Sequence, residues 1–289
     1  MAVLNFGSCC IDNVYAVPHF VTPGETLPCD SFNIHPGGKG LNQSIALACA
    51  GAEVRHAGRA GKDGQWLVDL LTSRGVDTSL LVVDQGPTGH ANIQVTPKGE
   101  NAIVLFGGAN RRIDTAQIDT VLSQAAAGDI LLLQNEISHL GYLIEQASSK
   151  SIRIVFNAAP MTDSVKSLPL AALELLIINE GEGQALTGSN QAGDIIESLQ
   201  QHHPELKILL TLGSNGSIYA DKNSMHKQSA ESVAAIDTTG AGDTFTGYFL
   251  AGYSKGLAIQ DCLQTATRAA ALCVTRPGAA NSIPFLSEL

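Results

Sequence analysis

The sequence predicts an α/β fold. It reads as a three-layer α/β/α sandwich with a mostly parallel central sheet, and a small β-sheet protrudes from it as a lid. Three observations predict this. Short apolar runs of strand length recur along the chain, helix-length segments lie between them, and two extended stretches break the alternation. Strands joined through helices make βαβ units, and a parallel sheet built that way is covered on both faces.

The first apolar run, VLNF at 3–6, opens the sheet. Residues 13–36 then read as extended pieces with turns, and the small apolar run at 45–50 forms a buried helix behind PGGKG. A strand at 54–57, a helix at 64–73 and a strand at 80–83 restore the alternation. Residues 90–106 break it again, because HANIQV and NAIVLF flank TPKGEN, a good hairpin turn. Strands of a small second sheet are therefore expected from about 13–36 and 88–107, either an ordinary edge hairpin or a lid over a site. Beyond them, helices at 116–124, 139–149 and 192–201 alternate with strands at 130–133, 153–156, 175–178 and 206–212. No internal repeat, low-complexity tract or linker divides the chain, so it reads as one domain over 1–289.

Composition narrows the partners. At 289 residues, with 44% hydrophobic and 15% charged side chains, the chain suits a globular protein with a substantial core. A net charge of −10 argues against nucleic acid or an anionic membrane as the main partner. It leaves room for a small anion, which needs only a local cluster of positive charge and amides. No apolar run approaches the roughly 20 residues of a membrane span, and the start MAVLNFGSCCIDN lacks the basic region of a signal peptide. The six cysteines (9, 10, 29, 49, 262 and 273) form no CxxC pair and have no histidine at zinc spacing. They read as reduced thiols of a cytoplasmic protein.

The chemistry gathers in glycine-rich turns. After DTTGAGDTF (237–245), Phe245, Tyr248, Phe249 and Gly252 follow helical spacing, so a buried helix starts near Gly240 or Ala241. The amides of its first turn lack intrahelical partners and favour an anion, which glycines let approach closely. Asp243 reads there either as a helix-stabilising acid or as a base beside an anion site, and composition alone leaves both open. HPGGKGLNQS (35–44) sets Gly38, Lys39 and Asn42 at the start of another buried helix, where they suit hydroxyls or an incoming phosphate. A plain glycine turn with a solvated lysine is the alternative, and the Walker A pattern is absent.

Two weaker features follow strands. INEGE (178–182) places Asn179 and Glu182 on one face of a first helical turn, and TLGSNG (211–216) makes a polar loop able to lie along a nucleotide. A cap and an ordinary turn account for them equally well. Asp12 and Glu136 sit just beyond the strands at 3–6 and 130–133, at the edge where open α/β sheets bind ligands. GYSKG (252–256) matches the nucleophile elbow of hydrolases, but it ends a helix and no histidine follows His226. A helix C-cap, with Gly256 as the stop, is the better reading.

Taken in order and with their spacing, these motifs resemble the ribokinase family of carbohydrate kinases (PfkB-type). PGGKGLNQSIALACAGAEV is similar to its N-terminal signature and DTTGAGDTFTGYF to its C-terminal one. GSCCID, TPGET, NAAP, NEGEGQALTG, TLGSNG and VTRPGAANSIP extend the likeness over nearly the whole chain. The resemblance implies an ATP-dependent kinase that transfers the γ-phosphate to a primary hydroxyl of a pentose, ribose first. Other ketoses and nucleosides remain alternatives, as does a non-catalytic sugar- or nucleotide-binding protein.

The same resemblance implies roles for residues. Asp243 would be the base, and the amides of Gly240, Ala241, Gly242 and Asp243 an anion hole for the transferring phosphoryl group. Asp12, Gly38, Lys39, Asn42 and Glu136 would contact the sugar. Asn179 and Glu182 would position Mg²⁺ and its waters, while Thr211, Gly213, Ser214 and Gly216 would bind the nucleotide. A monovalent cation, usually K⁺, would sit among Asp237, Thr239, Val274, Pro277, Ala279 and Ser282, ordering the loop that carries the amides. The lid would close over the sugar and pair two chains into a homodimer. One departure bears on specificity. Where that family's ribokinases carry Asn in GSxNxD, this chain has Cys10, and a thiol is the weaker hydrogen-bond partner.

Overall fold

Consecutive apolar residues along each strand of the main sheet point to opposite faces, and helices cover both. The computed structural model describes residues 2–289. Its first part runs β1 (Val3–Phe6), β2 (Cys10–Ala16), β3 (Ser31–Gly37), α1 (Lys39–Cys49), β4 (Val54–Gly61), α2 (Gln65–Ser73), β5 (Asp77–Asp84), β6 (Gly89–Val95) and β7 (Asn101–Phe106). There follow α3 (Thr115–Ser123), β8 (Ile130–Gln134), α4 (Leu140–Ser149), β9 (Arg153–Asn157), β10 (Leu175–Asn179) and α5 (Glu180–Thr187). The chain ends with α6 (Ala192–His202), β11 (Lys207–Thr211), β12 (Ser217–Ala220), β13 (Met225–Gln228), α7 (Ala241–Ser254) and α8 (Ile259–Cys273).

Among the described residues, nine strands form the main sheet in the order β13-β12-β11-β10-β9-β8-β1-β4-β5. The seven from β11 to β5 pair in parallel. Val3, Ile130, Leu132, Leu175, Ile177 and Leu209 pack on one face against α1, α2, α7 and α8. Their neighbours Leu4, Leu131, Leu133, Leu176, Ile178 and Leu210 pack on the other against α3, α4 and α6. The expected three layers are present. Burying a Leu or Ile side chain contributes about 1.5–3 kcal/mol, so these two clusters set the sheet as a rigid platform.

Two features extend the expectation. β12 and β13 add an antiparallel edge beyond β11, built from the four-residue segments SIYA and MHKQ. The lid is a separate sheet in the order β3-β2-β6-β7, closed by the β6–β7 hairpin around TPKGEN. Its first strand begins at Cys10, three residues ahead of the expected start at 13, so Asp12 lies within a lid strand instead of just beyond β1. The cause is nonlocal: β2 runs parallel to β6, pairing Asp12 with Ala91. The GYSKG segment ends α7, with Gly256 in the left-handed region at φ 72°, as a helix stop requires. No helix among the described residues is long and apolar enough to cross a membrane.

Candidate active site

The N-termini of α1 and α7 meet above the carboxyl ends of the central strands. The α7 turn works because Gly240 takes φ 78°, a conformation that L side chains rarely adopt. Thr244 N–H donates to Gly240 O at 2.8 Å and starts the helix. Ala241 N–H reaches Thr238 O at 3.3 Å. The amides of Gly240, Gly242 and Asp243 make no hydrogen bond within the described residues and stay available to an anion. Ala241 is the weakest member of the expected set.

Asp243 is buried, and each carboxylate oxygen is held by a side-chain amide of α1. Asn42 Nδ2 donates to Oδ2 at 3.0 Å and Gln43 Nε2 donates to Oδ1 at 2.8 Å. Asn42 Oδ1 is buried and has no partner. An unpaired buried acceptor costs about 1–3 kcal/mol, so this atom is set to receive a donor such as a substrate hydroxyl.

The other acceptor-side groups gather around Glu136, which follows β8. One of its oxygens accepts from Lys39 N–H at 2.9 Å and from the Ser8 hydroxyl in a short hydrogen bond. Asp12 approaches from the lid, its carboxyl pressed onto Gly37, where a Cβ would overlap it. Burial and then the nearby Glu136 charge push the Asp12 carboxyl up to about 6. Gly38 turns at φ 92° to bring the backbone against Ser8 and Cys10. Cys10 is buried and its Sγ accepts from Asn110 Nδ2 at 3.5 Å, so the thiol already has a partner. Burial above all raises the Cys10 thiol well above its usual value.

Beside this pocket lie two connected clefts. A smaller one, about 230 Å³, is lined by Lys39, Asn157, Asn179, Glu182, Gly240 and Asp243, so the Lys39 side chain serves this cleft while its backbone holds Glu136. Asp243, more than any other group, raises the Lys39 pKa and keeps the ammonium charged. The larger, about 410 Å³ and mostly apolar, takes Thr211, Gly213, Ser214 and Gly216 on one side and Phe245 and Val274 on the other. Asn179 reaches both clefts.

A model of the pfkB family of carbohydrate kinases matches residues 2–286. The chain belongs to that family. It is 34% identical over 294 residues to the ribokinase of Haemophilus influenzae, a match covering 98% of this chain and 95% of that protein. The ribokinase of Cryptococcus neoformans solved with ADP superposes with a TM-score of 0.86 at 34% identity, covering 99% of this chain and 98% of the other. The Arabidopsis thaliana ribokinase solved with ribose and ATP gives 0.88 at 29% identity, covering 99% and 96%. This pfkB kinase is thus a phosphotransferase with an alcohol group as acceptor.

The cation positions of the kinase can be tested against its own hydrogen bonds. Asn179 and Glu182 form a reciprocal capping box on α5, Asn179 Oδ1 accepting from Glu182 N–H and Glu182 Oε2 from Asn179 N–H, each at 2.9 Å. The cap reading of INEGE is what the hydrogen bonds show, and the cap also sets Glu182 at the smaller cleft. Burial raises its pKa, partly offset by Asn179 and Lys39. One carboxylate at such a cleft fits the needs of Mg²⁺, which takes most of its ligands from phosphate and water. In the second loop, Asp237 Oδ1 accepts from Thr239 N–H and Oγ1, and Oδ2 accepts from Gly278 N–H. Ala279 packs directly on Gly240, and Ser282 Oγ donates to Ala279 O at 2.7 Å. Val274 of the expected cation set follows directly on α8. Its carbonyl already accepts from Ile236 and Asp237 N–H, which fills both lone pairs and ties the loop to the end of α8. Ala279 O is likewise doubly engaged, by Ser282 N–H at 3.1 Å and Ser282 Oγ at 2.7 Å.

Sequence reasoning missed Ser8, Gln43, Gln134 and Asn157. Only Gln43 carried a local signal, as the neighbour of Asn42 in GLNQ.

Proposed function

We propose that the protein is an ATP-dependent ribokinase, transferring the γ-phosphate of ATP to a primary hydroxyl of ribose with Asp243 as the base. The observation that carries the reading is Asp243 itself: a buried carboxylate fixed by two amide donors, next to free amides at a helix start and an unpaired Asn42 Oδ1. Asp243 takes the hydroxyl proton as the oxygen bonds to the γ-phosphorus, the bond from that phosphorus to the β-phosphate oxygen breaks, and ADP leaves. The Gly240, Gly242 and Asp243 amides stabilise charge on the transferring group, and Lys39 adds a positive charge from the opposite side. Asp12, Asn42 and Glu136 orient the sugar, Gly38 allows its close approach, and Thr211, Gly213, Ser214 and Gly216 line the nucleotide cleft.

Glu182 would hold Mg²⁺ through water, and the metal would neutralise charge on the phosphates. Asp237, Thr239, Val274, Pro277, Ala279 and Ser282 would hold K⁺ and order the anion-hole loop. The lid exposes Phe32, Ile34 and the run Ile103–Phe106, an apolar surface that supports pairing of two lids in a homodimer. All six cysteines are free, which supports a cytoplasmic setting.

The test is a panel of ribose, fructose, adenosine and pseudouridine with coupled ADP detection, run on wild type and Asp243→Asn. Ribose should give the highest kcat/KM, and Asp243→Asn should fold and lose about 10³-fold or more in kcat. Near-normal turnover by that variant would refute the base. A nucleoside ahead of ribose would move the assignment to a nucleoside kinase, and ATP consumption unaffected by any acceptor would favour a binding protein.

A further inference from the structure

We infer that Gln43 is a positioning residue for Asp243, and that Gln134, which touches neither substrate site, fixes which way Gln43 points. The inference rests on the reading of Asp243 as the base. Gln43 and Gln134 are both fully buried. Gln43 Nε2 donates to Asp243 Oδ1 at 2.8 Å, and Gln43 Oε1 accepts from Gln134 Nε2 at 2.8 Å. Gln134 Nε2 also donates to Asn5 Oδ1 at 2.9 Å, so both of its N–H protons are committed.

The donors run in one direction through the core. Asn5 Nδ2 donates to Gly40 O at 2.7 Å and to Ser44 Oγ at 2.8 Å, which leaves its oxygen for Gln134. Ser44 Oγ in turn shares a hydrogen bond with His56 Nδ1 at 2.8 Å. His56 is fully buried and neutral, and its ring also bonds the Gly7 backbone. Asn5, fixed by its two donor contacts, sets the amide of Gln134, whose Oε1 is buried without a partner.

That matters because a glutamine amide is nearly symmetric in shape. Turned the wrong way, Gln43 would set its oxygen against the Asp243 carboxylate, two acceptors facing each other in a buried site. Gln134 offers Gln43 only N–H, so the Gln43 oxygen must face Gln134 and its N–H must face Asp243. With Asn42 on the other oxygen, two consecutive residues at the start of α1 fix the carboxylate plane. The lone pairs that remain face the cleft, where the substrate proton arrives.

The experiment compares Gln43→Met, Gln134→Met and the double variant in steady-state kinetics, with thermal stability measured alongside. A hydrogen bond to a charged group is worth about 1.5–3 kcal/mol, so Gln43→Met should lower kcat about 10- to 100-fold, with both KM values within about threefold of wild type. Gln134→Met should lower kcat by a smaller factor, about three- to tenfold, and should change it less than about twofold once Gln43 is Met. Unchanged kcat in Gln43→Met, or kcat losses that simply multiply in the double variant, would overturn the inference, because a merely structural role acts through stability and KM. Should Gln43→Met fail to fold, Gln43→Glu keeps the size and the acceptor for Gln134 but opposes Asp243. Its kcat should drop at least about tenfold, and a wild-type value would overturn the inference. Asp243→Asn is measured beside them. High turnover there refutes the base, whereas an inactive Asp243→Asn with a fully active Gln43→Met refutes only the positioning role.

Discussion

Asp12 stands on lid strand β2, with His35 opposite it on β3 and Glu136 and Cys10 close by. Burial first, and then the Glu136 charge, lift its carboxyl from 3.8 to about 6. A rise of roughly two units corresponds to about 3 kcal/mol set against the ionised form. The folded pKa is raised, so the contribution to stability is fully present below 3.8 and is lost as pH rises through 6. At neutral pH the ionised Asp12 therefore works against the fold. Asp12→Asn removes that opposition and should raise stability near neutral pH by up to about 3 kcal/mol, or roughly 5 °C or more in Tm.

The same ionised carboxylate is the better acceptor for sugar hydroxyls. A charge-assisted hydrogen bond is worth about 1.5–3 kcal/mol, so Asp12→Asn should lose about 10- to 100-fold in kcat/KM for the sugar. In the wild type, kcat/KM should fall about tenfold per pH unit below about 6, because this parameter reports groups of the free enzyme. The assay is initial rates over sugar concentration from about pH 4.5 to 8, with differential scanning calorimetry on both proteins. A variant that is less stable than wild type, or one that keeps both its kcat/KM and the acid limb, would refute the reasoning.

At the far end of the sheet, Glu174 accepts from Arg153, Lys207 and Tyr253. Burial alone would raise its pKa, but these hydrogen bonds prevail and bring it from 4.5 down to about 2. Its contribution, on the order of 3 kcal/mol, is present above 4.5 and lost as pH falls toward 2, so Glu174→Gln should flatten the acid arm of a stability-versus-pH curve. On the lid, Val104 is 70% exposed, and Val104→Asp should convert the proposed dimer to a monomer in light scattering at micromolar concentration. Replacing K⁺ by Na⁺ should lower kcat of the wild type, whereas Asp237→Ala should have low kcat in both salts; equal wild-type rates would count against the cation site.

The main sheet was legible because burial on both faces leaves an unbroken apolar run, and the turns after it need glycine for backbone reasons. β1 was expected at the residues where it occurs, and β8 to β11 differ at their ends by a residue or so. The edge strands β12 and β13 were not, since SIYA is very short and MHKQ is polar at three of its four residues and partly exposed. The lid start at Cys10 depends on pairing with β6, some eighty residues away, which no local pattern encodes. The site divides the same way. Asp243, Asn42 and the glycines announce themselves in turns whose geometry demands them. Gln43 and Gln134 lie 91 residues apart and meet only because α1 crosses the end of β8. Cys10 stands out in the sequence where the resembled pattern has Asn, but only the fold shows that Asn110 occupies its thiol.

The segment Gly7–Ser8–Cys9 joins these two halves of the site. Gly7 N–H is bonded to Ala57 O in the main sheet, Ser8 O accepts from Leu41 N–H of α1, and the Ser8 hydroxyl holds Glu136. Cys9 N–H is held by Asn110 Oδ1, and β2 with Asp12 begins one residue later. The lid strand that carries Asp12 therefore leaves from a point tied to the helix that holds Asn42 and Gln43, and through them to Asp243. Asp12 thus stands on the small sheet, whereas Asn42 and Asp243 stand on α1 and α7, which pack against each other beside the main sheet. Under the proposed function, the residue that would select the sugar and the carboxylate that would take the proton therefore sit on separate elements, joined by the anchored segment Gly7–Ser8–Cys9.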